Sequence, residues 1–315
     1  MLAAALAGAA CAQPRDPWPS RPVRLIVPAA AGGNPDVLVR LLGQKLQAAL
    51  GKPFVVENVP GAGGVVAAEV TAKSAPDGHV IFISDSGALA INPALNSQLP
   101  YQPLRDFTFI TALVSVPTVL VLHPSVAAQS LREFVALARA QPGRLSYGSA
   151  GTGSIHHLTM AVFASRSGIE LLHVPYKGGT ALVTGVLAGD VQAGWSGIPN
   201  VLQAIRTRRL RVLCISIPRR SRSLPDVPTA AELGFDGFDI ATTIGLAASA
   251  GLSKDIVARL QAAAAKALRE PDVAERIANL GMELVEEGTE SFERLVRHDM
   301  ARYASAVKAA GIKED

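Results

Sequence analysis

The sequence predicts an α/β protein built as two lobes joined by two crossover strands, and three observations lead there. Short β-branched runs alternate with amphipathic helical stretches in each half of the chain, the rhythm of parallel sheets covered by helices. Two stretches, 107–131 and 240–252, lack Asp, Glu, Lys and Arg and bracket a central α/β block. A discontinuous first domain with two crossover strands produces that layout, so residues 13–122 and 240–315 are assigned to one domain and 123–239 to the other. Two glycine-rich turns, Ala30-Ala31-Gly32-Gly33-Asn34-Pro35-Asp36 and Ser149-Ala150-Gly151-Thr152-Gly153-Ser154, each follow a strand-like run and open a helix, one in each half.

The elements follow in order. Val23-Arg24-Leu25-Ile26-Val27 is a β-branched first strand ending at Pro28. After the Gly-Gly turn, Asn34 is expected as helix N-cap with Pro35 at the first helical position. Val37, Leu38, Leu41, Leu42 and Leu46 share one face, and Gly51 stops the helix. Phe54-Val55-Val56-Glu57 is a second strand, Pro60-Gly61-Ala62-Gly63-Gly64 opens a second helix, and Pro76-Asp77-Gly78 turns the chain into a third strand from His79. In 107–131, Pro117 and Pro124, with the β-branched Val114, Val116, Thr118, Val119 and Val121, fit two buried strands rather than a membrane helix. Helices over 131–140, 155–163 and 180–188 then alternate with strands at Leu145-Ser146-Tyr147 and Leu171-Leu172-His173-Val174, and helices over 253–270 and 291–308 complete the chain.

Composition narrows the function. The chain has 315 residues, enough for two domains with real cores. Hydrophobic residues make up 49% and charged ones 18%, which describes a globular rather than a disordered chain. The formal net charge of +4 is small for this length, and the interleaved aromatic and basic residues of a single-strand binder are missing. No nucleic-acid partner is expected. The run from Met1 to Ala12 reads as the apolar core of a secretory signal, with Ala10-Cys11-Ala12 as a small-x-small cleavage site, so 1–12 is assigned as signal peptide. It lacks a basic n-region, and it is too short to span a bilayer. Lipid attachment at Cys11 is disfavoured by Gly8, which stands where a Leu is usual. Cleavage leaves Cys214 as the sole cysteine, in an apolar strand pattern that suits a buried, inert thiol.

The two glycine turns carry the chemistry. A helix start presents unpaired N–H groups and the positive end of the dipole, so each turn is an anion site, and a pair in separate lobes suits closure around a small carboxylate. Helix-terminus contacts contribute roughly 0.3–1 kcal/mol when exposed and about 2 when partly buried. Charge-assisted hydrogen bonds add roughly 1.5–3 each, so a few together reach the ~8 kcal/mol of a micromolar binder. The first turn is neither a Walker A loop nor GxGxxG. Ser154 and His157 invite a nucleophile-and-base reading, but the Gly-x-Ser-x-Gly elbow is absent, and a helix cap with a pocket-wall histidine fits better. Zinc spacing is also absent, so no metal is expected. The arginines between Arg206 and Arg222 read as a solvated face, with a docking patch for an acidic partner as the alternative.

With these residues in place, the chain resembles the Bug family, TctC-like periplasmic solute-binding proteins of tripartite tricarboxylate transporters, from about Trp18 to Ile312. The likeness runs through Arg21-Pro22-Val23-Arg24-Leu25-Ile26-Val27-Pro28, Gly32-Gly33 with Asp36, Val56-Glu57-Asn58, Pro60-Gly61-Ala62-Gly63-Gly64 and Pro76-Asp77-Gly78. It continues through Asn92-Pro93, Tyr147-Gly148-Ser149, His173-Val174-Pro175-Tyr176-Lys177-Gly178 and Leu224-Pro225-Asp226-Val227-Pro228-Thr229. The resemblance implies a type II, Venus-flytrap periplasmic binding fold, a small mono- or dicarboxylate ligand and integral-membrane permease subunits as partners. It implies a monomer without cofactor, catalytic residue or stable membrane insertion. Carried over, the ligand site comprises Gly32, Gly33, Asn34 and Asp36 in the first loop and Ser149, Thr152, Gly153, Ser154 and His157 in the second. Tyr176 and Lys177 line the far side, and Ser86 is counted with them. Ala29 and Thr243 stand where the family usually has an aromatic and a Trp, which implies a wider cavity. The alternatives are a sensor that signals its loaded state to a membrane partner, and a secreted α/β hydrolase using Ser154 and His157.

Overall fold

In the computed structural model, which describes residues 18–236 and 238–310, strand and helix alternate through each half of the chain. The expected signal segment, 1–12, lies outside the described residues. β1 (Val23–Val27) leads to α1 (Asn34–Leu50), β2 (Phe54–Asn58) to α2 (Val65–Ala72), and β3 (Val80–Asp85) to a wide helical turn and the short α3 (Asn92–Leu95). β1 pairs in parallel with β2 on one side and β3 on the other. α1 buries Leu38, Val39, Leu42 and Leu46 and ends at Gly51, whose φ of 78° lets its N–H return to the Gln47 carbonyl. Gly33, not Asn34, is the N-cap of α1. Asn34 therefore lies inside the first turn, and its amide is free to point elsewhere.

After α4 (Pro103–Asp106), the apolar stretch forms one strand, β4 (Phe107–Leu122), where two were expected. Pro117 does not end it. β4 pairs antiparallel with β9 (Ala241–Ser249) as far as Pro117, then with β7 (Ala193–Gly197) and β8 (Arg211–Ile215) from Thr118 onward. A residue without an N–H is tolerated where the ladder changes partner. The second lobe contains α5 (Leu131–Ala140), β5 (Ser146–Ser149), α6 (Ile155–Ser167), β6 (Leu172–Pro175), α7 (Gly179–Ala188) and α8 (Ile198–Arg206) around β7 and β8. β5 pairs in parallel with β6 and β7. α9 (Lys254–Arg269), α10 (Pro271–Asn279), β10 (Glu283–Glu287) and α11 (Thr289–Ala310) close the chain. β7, α8, α10 and β10, with the short α3 and α4, were not anticipated from the sequence. The strands run in the order β2-β1-β3-β9-β4-β7-β5-β6, with β8 and β10 also pairing to β4.

Each lobe has its own core. Leu25, Val27, Leu42 and Ile83 pack with Leu260 and Leu268 of α9 in the first, and Phe134, Phe163 and Trp195 pack together in the second. α11 joins both, with Phe292 in a first-lobe cluster and Tyr303 in the second-lobe core. Cys214 is buried and unpaired, and burial pushes its thiol pKa up, as suits an inert core residue. Among the described residues, no helix is long and apolar enough to cross a membrane, and no cluster of side chains could hold a metal ion.

Candidate functional site

The carboxyl ends of β1, β2 and β3 and those of β5, β6 and β7 open into one cavity of about 600 Å³. Open α/β sheets form such a crevice because the loops at those ends leave the strands in diverging directions. Five helices begin at its wall. The N-caps of α1, α2, α6, α7 and α8 are Gly33, Gly64, Ser154, Gly178 and Gly197, and all five line the cavity. Of these helices only α1 has an acidic residue in its first turn, Asp36. The positive ends of four dipoles thus face the cavity without a local carboxylate to offset them.

Asp36 is spent on the loop itself. It is 2% exposed and accepts from Gly32 N (2.9 Å), Arg40 Nε (3.0 Å) and Asn58 Nδ2 (2.9 Å). Burial acts to raise its pKa, but the Arg40 guanidinium, the Gly32 N–H and the Asn58 amide outweigh it and hold the carboxyl below its usual value. Asn58 Nδ2 also donates to the Ala29 carbonyl at 2.9 Å, so one buried carboxylate and one amide fix the 29–33 turn. In the next loop, Gly64 has φ of 95°, and a Cβ there would lie 3.2 Å from both Pro28 and Ala88 Cβ atoms; only glycine allows this approach. Asn92 Nδ2 holds the loop by donating to Gly63 O at 3.0 Å.

In the second lobe, Ser154 Oγ accepts the His157 N–H at 3.3 Å as an ordinary helix cap. The His157 ring turns away from that hydroxyl: Nδ1 accepts the Gly153 N–H at 3.2 Å, and the ring stacks on His173. No serine–imidazole pair forms there. Ser149 is fully buried, with Oγ 2.7 Å from His173 Nε2, and it accepts the Gly151 N–H at 3.1 Å. Burial, with the neighbouring His173, pushes the His157 pKa down to about 4.

Of the residues singled out from the sequence, Ala29, Gly33, Asn34, Gly153, Ser154 and Lys177 line the cavity. Gly32, Asp36, Ser149, Thr152 and His157 do not: Asp36 and Ser149 are buried supports of the loops, His157 sits in α6 with Nδ1 on the Gly153 N–H, and Gly32 and Thr152 are exposed. Tyr176 is displaced further, because its ring fills the notch left by Gly148 and Gly185. Ser86 and Thr243 also lie elsewhere. Along β9 the side chains alternate, so Thr242 and Ile244 face the cavity while Thr243 faces a small void of about 10 Å³ beside Phe292 and Leu295. There the Thr243 N–H donates to Ser86 Oγ at 3.0 Å. The expectation that Thr243 widens the cavity is therefore corrected; Ala29 alone of that pair is in the wall.

Sequence reasoning missed Asp85, His156, Asn200 and Thr242, all in the wall. Burial pushes the Asp85 carboxyl up to about 6, against the N–H groups of Ala88 and Gly87. His156 has a buried Nδ1 without a partner, and burial pushes its pKa down to about 4. A lone acid at the carboxyl end of an apolar strand was the available signal for Asp85, and Gly197-Ile198-Pro199 the signal for a helix start beside Asn200. Three of the seven arginines of the cluster are drawn into structural contacts: Arg211 donates to the Val126 and Ala128 carbonyls, Arg219 pairs with Glu283, and Arg220 pairs with Glu232.

The chain matches the family model described as tripartite tricarboxylate transporter family receptor over residues 38–312. It is 36% identical to Protein BugT of Bordetella pertussis over 310 residues, covering 98% of this chain and 95% of that one. Among solved structures it is similar to R. palustris Rpa4515 with adipate, with a TM-score of 0.89, 30% identity and coverage of 94% and 99%. It is also similar to MatC of Rhodopseudomonas palustris with bound malate, with a TM-score of 0.86, 31% identity and coverage of 92% and 100%. The fold is thus that of two-lobed periplasmic binding proteins, and the chain belongs to the TctC family of tripartite tricarboxylate transporter receptors.

Proposed function

We propose that the protein captures a small organic carboxylate in the cavity between its lobes and delivers it to integral-membrane permease subunits. The observation that carries this reading is the convergence of five helix N-termini on one cavity, four of them without a first-turn acid. Backbone N–H groups at those termini satisfy a carboxylate without a buried arginine. The carboxylates named for two structural relatives, adipate and malate, support the same class. The protein acts by binding rather than by turnover, a reading supported by Ser154 serving as a cap to the His157 N–H. The segment 1–12 serves as the secretory leader that places the protein in the periplasm. The lobes divide near Pro117, where β4 passes from pairing with β9 to pairing with β7, five residues before the 122–123 boundary expected for the first crossing, and again near Ile240, where the chain enters β9.

Native mass spectrometry of the purified protein tests the proposal. A co-purified organic acid, exchangeable for added dicarboxylates, is the expected result. Hydrolysis of any ester or amide in a substrate panel would overturn the binding-only reading.

A further inference from the structure

We propose that Asp85 selects, within the carboxylate class, ligands that also carry an ammonium group: an amino acid whose carboxylate meets the helix N-termini and whose amine meets Asp85. The inference rests on the carboxylate reading above and narrows it.

Among the described residues that line the cavity, Asp85 is the sole acid and Lys177 the sole Lys or Arg. They sit on different lobes, and no ion pair links them. Lys177 is exposed, at the loop after β6, whereas Asp85 ends β3 and is in register with Ile244, another wall residue. The Asp85 carboxylate is held in place by backbone alone, with Oδ1 accepting the Ala88 N–H at 2.9 Å and Gly87 as the second donor. Asp85 also borders the small void behind that wall, where Asp299 is closed on Arg302 at 2.8 Å, so that guanidinium is already engaged. A carboxylate taken from bulk water with neutral donors only is left with uncompensated charge, and burial raises its pKa accordingly.

Such a group is out of place in a cavity that binds anions alone. A second ligand carboxylate brought near Asp85 meets like charge, whereas an ammonium there gives both groups a partner. The opposite polarity lies within the same cavity, at the N-termini of α6, α7 and α8. The cavity therefore offers an anion pole and a cation pole, which is the pattern of a zwitterion.

Calorimetric titration at pH 7.5 against matched pairs tests this: succinate with aspartate, glutarate with glutamate, and adipate with 2-aminoadipate. In at least one pair the amine-bearing acid is expected to bind about tenfold tighter or more. In Asp85→Asn, whose amide oxygen can still accept the Ala88 N–H, that ratio is expected to fall to about one, with dicarboxylate affinity kept or raised. Amine-free acids binding as well as their partners in every pair would overturn the inference while leaving the carboxylate reading intact. Where the preference falls on the aspartate pair, malate binding as tightly as aspartate would overturn it too, because a hydroxyl brings no charge. Should Asp85→Asn fail to fold, the wild-type ratios decide alone. Binding of 1,5-diaminopentane, or of no acid at all, would overturn both readings together.

Discussion

The imidazole rings of His157 and His173 stack 4.0 Å apart with 3° between their planes. Both belong to the support of the second anion loop. His157 Nδ1 accepts the Gly153 N–H, and His173 Nε2 lies 2.7 Å from Ser149 Oγ. Stacked so closely, the rings cannot both carry charge cheaply, and protonation at His157 Nδ1 removes the acceptor that holds Gly153.

Stability should therefore fall in acid. Burial and the neighbouring His173 lower the His157 pKa to about 4, burial lowers that of His156 to about 4, and burial lowers that of His173. An unfolded histidine titrates near 6.5, so between about pH 6.5 and 4 the unfolded chain binds more protons than the folded one. The stabilisation is complete above that window and is lost as pH drops through it. Melting temperatures from pH 8 to pH 4 should decline more steeply for the wild type than for His157→Asn. Parallel curves would show that the stacked pair does not set the slope.

Asp36 should matter through the loop and not through contact with ligand. Asp36→Ala leaves the Asn58 amide and the Gly32 N–H without their shared acceptor. A buried polar group stripped of its partner costs about 1–3 kcal/mol. Denaturant unfolding should show a loss of that order, accompanied by weaker carboxylate binding as the 29–33 turn loosens. Unchanged stability would mean that water replaces the carboxylate at no cost.

Ala29 and Thr243 should respond differently to added bulk. Ala29 is in the cavity wall, so Ala29→Phe should weaken a six-carbon diacid more than a four-carbon one, with little change in melting temperature. Thr243 faces a void too small for a ring, so Thr243→Trp should cost about 1–3 kcal/mol of stability through overpacking. Titration and thermal unfolding of both variants separate the two outcomes. Equal behaviour would contradict the alternation along β9.

The positions of these residues mark how far the sequence could be read. The β1–turn–α1 unit was legible because β-branched strand, glycine turn and apolar helix face agree with one another. The loop after β5 was legible for the same reason, and both turns reach the cavity through Gly33, Asn34, Gly153 and Ser154. What failed was direction. One position along a helix rotates a side chain by about 100°, so His156 faces the cavity and His157 the loop behind it. One position along a strand flips the face, so Thr242 took the place expected of Thr243. β4 read as two strands because partner exchange within one strand depends on tertiary pairing, which no local pattern encodes. Asp85 was passed over because its meaning comes from its neighbours, which lack any cation.

The central claim is that helix N-termini make this cavity a carboxylate site. Titration with glutarate and with its neutral isostere glutaramide, under identical conditions, tests it most directly. Both fill similar volume, but only the acid presents charged acceptors to the first-turn N–H groups of α1, α6, α7 and α8, whose N-caps Gly33, Ser154, Gly178 and Gly197 line the cavity. The acid should bind about tenfold tighter or more, since hydrogen bonds to a charged group contribute about 1.5–3 kcal/mol against roughly 0.5–1.5 for neutral ones. Equal affinity for the amide, or preference for it, would contradict the account.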